Sequence, residues 1–226
     1  MILLVLFVAG LVARAAAGAF FMGPAYPDSF YYVNVAHQLA AGNGFSVNYI
    51  WNFVDVGGVV PSQPMLPIPS NAHWMPLAAI VQVPFIWLLG PTALASELPF
   101  WLIGALAAPL TYLIAVEAGA SRTVAITAGL LAVVPCALLP FMSQPDNFGL
   151  FMLLGGLALL LGARAWAGDW RALVAGGLVV ALATLSRTDG VLLGVPLAAA
   201  GLRHLWANRT RSAQLRRWLL ASVATA

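Results

Sequence analysis

The sequence predicts an all-α fold: a polytopic bundle of membrane-spanning helices with a long outer first loop that carries interfacial helices. Three observations lead there. Hydrophobic residues fill 62% of the 226 positions and charged residues 8%, against about 25% charged in a soluble domain, so the chain cannot clothe a water-facing surface. Mean hydropathy is +0.93, and the apolar residues gather in runs near the roughly 20 residues that a helix needs to cross a bilayer. One stretch breaks the pattern: residues 22–95 hold Pro, Asn, Asp, Tyr and Trp but neither Lys nor Arg.

Six runs are candidate spans: 2–21, 97–116, 123–142, 148–166, 172–186 and 191–205. The first could be a signal peptide ending near Ala15, Ala16 and Ala17. It lacks a basic leading segment and stays apolar through Phe21, which favours an uncleaved helix. Inside the long loop, residues 28–41 read as an amphipathic helix, with Asp28 or Ser29 as the cap and Gly42 as the stop. Residues 61–69 contain four prolines and must be irregular or extended. Tyr26, Phe30, Tyr31, Tyr32 and Trp74 suit the membrane–water interface. The run 76–89 is 14 residues long, short for a span and typical of an interfacial or re-entrant helix. Gly155-Gly156 and Gly176-Gly177 read as close helix contacts in the later spans. A further apolar run begins at Trp218 and reaches Ala226, so residues 1–226 are expected to be the N-terminal transmembrane module of a longer protein.

All ten basic residues are Arg. Arg122, Arg164, Arg171, Arg203, Arg209, Arg211, Arg216 and Arg217 fall in three connections, which the positive-inside rule assigns to the cytoplasm. That holds only if the run 76–89 does not cross. Loop 22–95 and the turns at 144–147 and 186–190 then share the outer side. The net charge of +3 and pI near 9.5 therefore reflect topology, with no nucleic-acid partner implied. Cys136 is the single cysteine, which excludes a disulfide within the chain. His37, His73 and His204 show no zinc spacing. There is no phosphate loop or dinucleotide fingerprint, and no nucleophilic Ser or Cys signature.

The expected outer side collects an unusual set. Asp28 opens the long loop and His73 lies near its end. Asp146 follows the third span, and Arg187 and Asp189 follow the fifth. With Asp55, these put four of the seven acidic residues outward, while Arg187 is the lone base there. Arg14 and Glu117 sit close to span ends. Ionisable groups at membrane depth are costly and functional by default. A carboxylate can act as general base on a hydroxyl or amine, and Arg binds phosphate in bidentate fashion. The set suits a reaction on a lipid-linked phosphorylated substrate. Structural alternatives stand beside it: Asp28 and Asp146 as helix caps, Arg187 and Asp189 as an interfacial anchor and cap, His73 as an exposed loop residue.

Asp28-Ser-Phe-Tyr-Tyr32, followed by Ala40-Ala-Gly-Asn-Gly-Phe45, resembles the first outer loop of C-type glycosyltransferases, the polytopic enzymes that use polyprenyl-phosphate sugars. Protein O-mannosyltransferases, lipid A aminoarabinose transferases and the oligosaccharyltransferase catalytic subunit belong there. His73-Trp-Met-Pro-Leu77 resembles the family's basic-or-His, Pro-Pro-Leu element, with Met75 in place of the first Pro. Ser143-Gln-Pro-Asp-Asn147 resembles the second outer acidic motif, and Leu185-Ser-Arg-Thr-Asp-Gly190 a turn common in bacterial members.

The resemblance implies an inverting glycosyl transfer, hexosyl or pentosyl, on the outer face of a bacterial inner or plasma membrane. Asp28 and Asp146 would be the catalytic carboxylates, with Arg187 and His73 binding the donor phosphate and Tyr32 and Asp189 in support. The implied partners are a polyprenyl-phosphate sugar, a lipid, glycan or protein acceptor, and membrane lipid. Two outer carboxylates permit chemistry with or without a divalent metal. The competing classes are a transporter and a non-catalytic scaffold. A transporter predicts internal repeats and midplane charges; the sequence has no repeat and places its charges at span ends.

Overall fold

The computed structural model of the chain describes residues 1–50, 56–63, 65–70 and 74–207. Asp55, His73, Arg209, Arg211, Arg216, Arg217 and the apolar run from Trp218 lie outside the described residues. The described fold is helical apart from one two-residue hairpin pairing, β1 (Ser46–Val47) with β2 (Ile68–Pro69), antiparallel with Val47 opposite Ile68. It is an all-α polytopic bundle, as the composition requires.

Among the described residues, three helical stretches are long and apolar enough to cross a membrane: α1 (Ile2–Phe20), α5 with α6 (Ala93–Ala105 and Ala107–Glu117), and α8 (Asn147–Ala167). Small residues let them pack closely. A Cβ at Gly18 would lie 2.4 Å from the Trp101 ring, and one at Gly10 would lie 3.0 Å from the Ala105 carbonyl oxygen. Both contacts join α1 to α5. α9 (Trp170–Ser186) returns along α8 after a tight turn in which Gly168 takes φ 115°, a conformation that favours glycine. α10 (Gly194–Ala207) follows a 3₁₀ segment, Thr188–Leu193.

The expected span 123–142 is broken. α7 (Arg122–Val133) ends before Pro135, and the 3₁₀ turns Cys136–Leu138 and Phe141–Ser143 continue at 46° to it. A residue preceding proline is pushed out of the helical region, and Val134 sits at φ −124°, ψ 88°. Arg14 fits into this break. It is fully buried inside α1 and does not lie at the end of its span; its Nη1 donates to the Gly10 and Val133 carbonyls, each at 3.1 Å. The bond to Val133 places a cation at the negative end of α7. Gly104 supplies the notch, since a Cβ there would lie 2.5 Å from Arg14 Nε.

Long-range bonds sort the helix ends into two groups. Gln144 Nε2 donates to the Phe21 carbonyl at 3.0 Å, the Gly23 amide donates to Glu97, and Ser186 Oγ donates to the Asn147 carbonyl at 3.5 Å. These gather the end of α1, the start of α5, the start of α8 and the end of α9. At the opposite end Arg164 pairs with Glu117 at 3.0 Å, and Arg203 donates to the Trp166 carbonyl at 2.9 Å.

The described helices between α1 and α5 pack at the first of these ends. α2 (Pro27–Ala40) buries Tyr31, Tyr32, Val35 and Ala36 on one face, against Ala78, Ala79, Ile86 and Phe100. α3 (Leu77–Ile80) and α4 (Val83–Leu89) form the short apolar segment, and Trp87 of α4 donates to the Ala40 carbonyl at 3.0 Å. α4 leads directly into the start of α5, and at 13 residues Leu77–Leu89 falls among the shorter apolar helices.

Candidate active site

Pro27 opens α2, and the preceding Tyr26 makes no side-chain cap bond. Neither Asp28 nor Ser29 caps the helix. Proline suits the first helical position, where no amide partner exists, so Asp28 falls in the first turn. Its side chain is half-buried, and that burial raises its carboxyl above the usual range.

Asp146 is 1% exposed. It caps α8 by accepting the Asn147 amide, and its Oδ2 accepts the Tyr26 hydroxyl at 2.6 Å. Burial pushes its carboxyl up to about 6, against the lowering effect of these two bonds; the negative charge of Asp28 raises it further and Arg187 lowers it. Asp28 and Asp146 thus sense one another across the end of the bundle. Burial and the neighbouring Asp146 also push the Tyr26 and Tyr32 hydroxyls up, so both stay protonated donors. Tyr32, 1% exposed, accepts Asn147 Nδ2 at 3.2 Å.

Arg187 follows the end of α9. It makes a two-point ion pair with Asp189, Nε to Oδ1 at 3.0 Å and Nη2 to Oδ2 at 3.1 Å. This pair raises the guanidinium and holds the exposed Asp189 carboxyl below its ordinary value. The guanidinium also lies 5.3 Å from the Phe151 ring centre, in cation–π range.

Beside Arg187 is an apolar cavity of about 450 Å³, lined by Leu138, Phe141, Met142, Phe148, Phe151 and Met152, with Arg187 as the one polar lining residue. It lies between the bent segment after Pro135 and the first turns of α8, so the break in the third span shapes it. The cavity connects to Asp146 through aromatic rings. Tyr26 packs on Phe141 at 5.6 Å, and Phe141 on Phe148 at 6.4 Å. The Tyr26 hydroxyl holds Asp146.

The fold therefore brings Asp28, Asp146, Tyr32, Arg187 and Asp189 to one end. His73 lies outside the described residues. Four polar residues here carry no assignment from the sequence: Tyr26, Glu97, Gln144 and Asn147. Only Glu97 gave a signal of its own, as an ionisable side chain at the head of an apolar run; Gln144 and Asn147 flank Asp146 inside the motif 143–147. Among the described residues no three His, Cys, Asp or Glu side chains gather as a metal-ligand set, and both Asp146 oxygens are already engaged by the Tyr26 hydroxyl and the Asn147 amide.

Comparison with known proteins gives this arrangement a class. Residues 72–226, more than half of the chain, match the model of the dolichyl-phosphate-mannose-protein mannosyltransferase family. A polytopic helix bundle with this match is an integral-membrane glycosyltransferase of the C type. The chain belongs to the dolichyl-phosphate-mannose-protein mannosyltransferase family. The match covers Asp146, Arg187 and Asp189; Asp28 and Tyr32 precede it. No curated protein and no solved structure matches the chain.

Proposed function

We propose that the protein transfers a sugar from a polyprenyl-phosphate donor to an acceptor hydroxyl or amine at the outer face of a bacterial inner or plasma membrane. The observation that carries this reading is the juxtaposition of an apolar cavity, a single Arg at its polar rim, and two carboxylates beyond it. An isoprenoid chain suits a cavity lined by Leu, Phe and Met. Arg187 would exchange Asp189 for the donor phosphate, whose tetrahedral group can also present two oxygens to the guanidinium fork. The sugar would then face Asp28 and Asp146, with loop 22–95 forming the roof of the catalytic module 1–226.

In the transfer, the acceptor oxygen or nitrogen forms a bond to the anomeric carbon as the bond from that carbon to the phosphate oxygen breaks. Asp28 takes the acceptor proton as general base. Asp146 and the Tyr26 and Tyr32 hydroxyls orient the polar groups around it. The polyprenyl phosphate departs with its charge balanced by Arg187, and such electrostatic stabilisation is usually the largest single contribution to rate. The outward orientation is supported by the arginines: Arg122, Arg164, Arg171 and Arg203 lie at the opposite end of the bundle, the cytoplasmic one by the positive-inside rule.

Arg187→Ala tests this reading. Losing a hydrogen-bonded charge contact costs about 1.5–3 kcal/mol, so the donor KM is expected to rise by about 10- to 100-fold. A photoreactive polyprenyl phosphate should label Phe141, Phe148 or Met152 in the wild-type protein. An unchanged donor KM, with labelling elsewhere, would exclude the cavity as the donor site.

A further inference from the structure

Gln144 has no part in the chemistry above, yet it is the most connected polar side chain at this end of the bundle. It is 2% exposed and lies two residues before Asp146. Its Nε2 donates to the Phe21 carbonyl at 3.0 Å. Its Oε1 accepts the Ala25 amide at 3.0 Å and the Ser29 hydroxyl at 3.4 Å. These partners fix the orientation of the amide, since the flipped form would set donor against donor at Ala25 and acceptor against acceptor at Phe21. The partners also bracket Asp28: Ala25 precedes it by three residues and Ser29 follows it by one.

The linker between α1 and α2 needs such a template. Residues 21–26 contain no helix, and Gly23 turns through φ 93°. Glu97, fully buried on α5, accepts the Gly23 amide from the other side. Backbone groups of Phe21, Gly23 and Ala25 are thus held by two buried side chains, and the Tyr26 hydroxyl closes the arc on Asp146. Pro145 follows Gln144 and keeps it extended, at φ −89° and ψ 156°. The turn that carries one carboxylate therefore reaches across to shape the loop that carries the other.

We propose that Gln144 is a positioning residue that sets Asp28 against Asp146, using its side-chain amide as the template for the α1–α2 linker. This rests on the reading that Asp28 and Asp146 carry the transfer. A misplacement of about 1 Å at a reacting group can cost on the order of 100-fold in rate, so the clamp acts on kcat. It does not touch the apolar cavity, so donor KM is not its readout.

The test uses the full chain in nanodiscs with a polyprenyl-phosphate sugar as donor, and three variants. Asp28→Asn reads the underlying assignment. Gln144→Leu removes the clamp and is expected to lower kcat on the order of 100-fold with donor KM within about twofold. Gln144→Glu keeps the shape and gives a signature that loss of fold cannot imitate. Its ionised form sets a negative oxygen against the Phe21 carbonyl, whereas its protonated form donates to that carbonyl and still accepts from Ala25. Burial, Glu97 on the same linker and nearby Asp146 all favour the protonated form.

The ratio of Gln144→Glu to wild-type kcat should therefore climb about tenfold or more as pH falls from 8 to 6, reversibly, when measured well below the variant's melting temperature at pH 8, which linkage makes the lower of the two. A flat ratio near one overturns the proposal, whether or not Gln144→Leu folds. If Asp28→Asn transfers sugar at the wild-type rate, the catalytic assignment fails instead. If Asp28→Asn is inactive while Gln144→Leu keeps its kcat, only the clamp fails.

Discussion

Asp146→Asn should leave the protein folded, more stable at pH 8, and nearly inactive. Burial and neighbouring charge raise the Asp146 carboxyl from 3.8 to about 6. At 1.36 kcal/mol per pH unit, the fold favours the protonated over the ionised form by about 3 kcal/mol. The sign follows from linkage. A raised folded value means that this contribution is fully present below about pH 4 and is lost as pH rises through about 6. At pH 8 the native state carries a buried charge that the unfolded chain would hold in water. Asparagine removes that charge. It caps a helix as well as aspartate does, so the Asn147 amide keeps its acceptor, and the Tyr26 hydroxyl can turn to accept from the new amide. Exchanging the charge-assisted bond for this neutral one costs about 1 kcal/mol, which leaves a net gain of about 1–2 kcal/mol at pH 8 and none at pH 4.

The assay is reversible unfolding in mixed micelles at both pH values, run beside glycosyl transfer. Removing a group that assists proton transfer should lower kcat by about 100-fold or more. A variant that unfolds more easily than wild type at pH 8 would refute the reasoning about burial. One that is more stable and still transfers at the wild-type rate would refute the role of the charge.

Two further perturbations probe the same end of the bundle. Tyr26→Phe removes the bond that holds the Asp146 carboxyl down, so the acid limb of the kcat/KM profile should move up by about one pH unit if transfer needs Asp146 ionised beside Asp28; an unmoved limb would separate the charge of Asp146 from the rate. Gly190→Ala places a Cβ 2.4 Å from the Ala183 carbonyl carbon and 2.6 Å from the Thr184 amide nitrogen. That contact is with backbone and must push the Arg187–Gly190 turn away from α9, costing about 1–3 kcal/mol and raising donor KM along with the melting defect. Thermal unfolding and donor titration check both halves.

The sequence showed the bundle because apolar runs of span length are a one-dimensional signal. The arginines also grouped the connections by side, and Asp28, Asp146 and Arg187 do meet at one end of the described bundle. The run at 76–89 was legible as too short for an ordinary span, and it folds as two short helices, α3 and α4. What escaped depends on contact across the chain. Hydropathy runs smoothly through Val134-Pro135, although the proline alone marks the break that shapes the cavity. Arg14 read as a charge near a span end, because nothing local reveals that Gly104 and the Val133 carbonyl receive it. Asp28 and Ser29 were also candidates for the cap of the second helix, a reading that fails because Pro27 takes the first helical position and moves Asp28 inside the turn. Gln144 and Tyr26 became visible only when the α1–α2 linker and the turn before α8 were seen to share hydrogen bonds over more than a hundred residues of sequence.

The central claim is that the carboxylate of Asp28 takes the acceptor proton during transfer from a lipid-phosphate sugar. Its most direct measurement is the single-turnover rate of Asp28→Asn in proteoliposomes, with a labelled polyprenyl-phosphate sugar bound and the acceptor saturating. The side chain differs by one atom, so donor binding should hold within about twofold while the rate falls by about 100-fold or more. Transfer at the wild-type rate by a variant that binds donor normally would contradict the account.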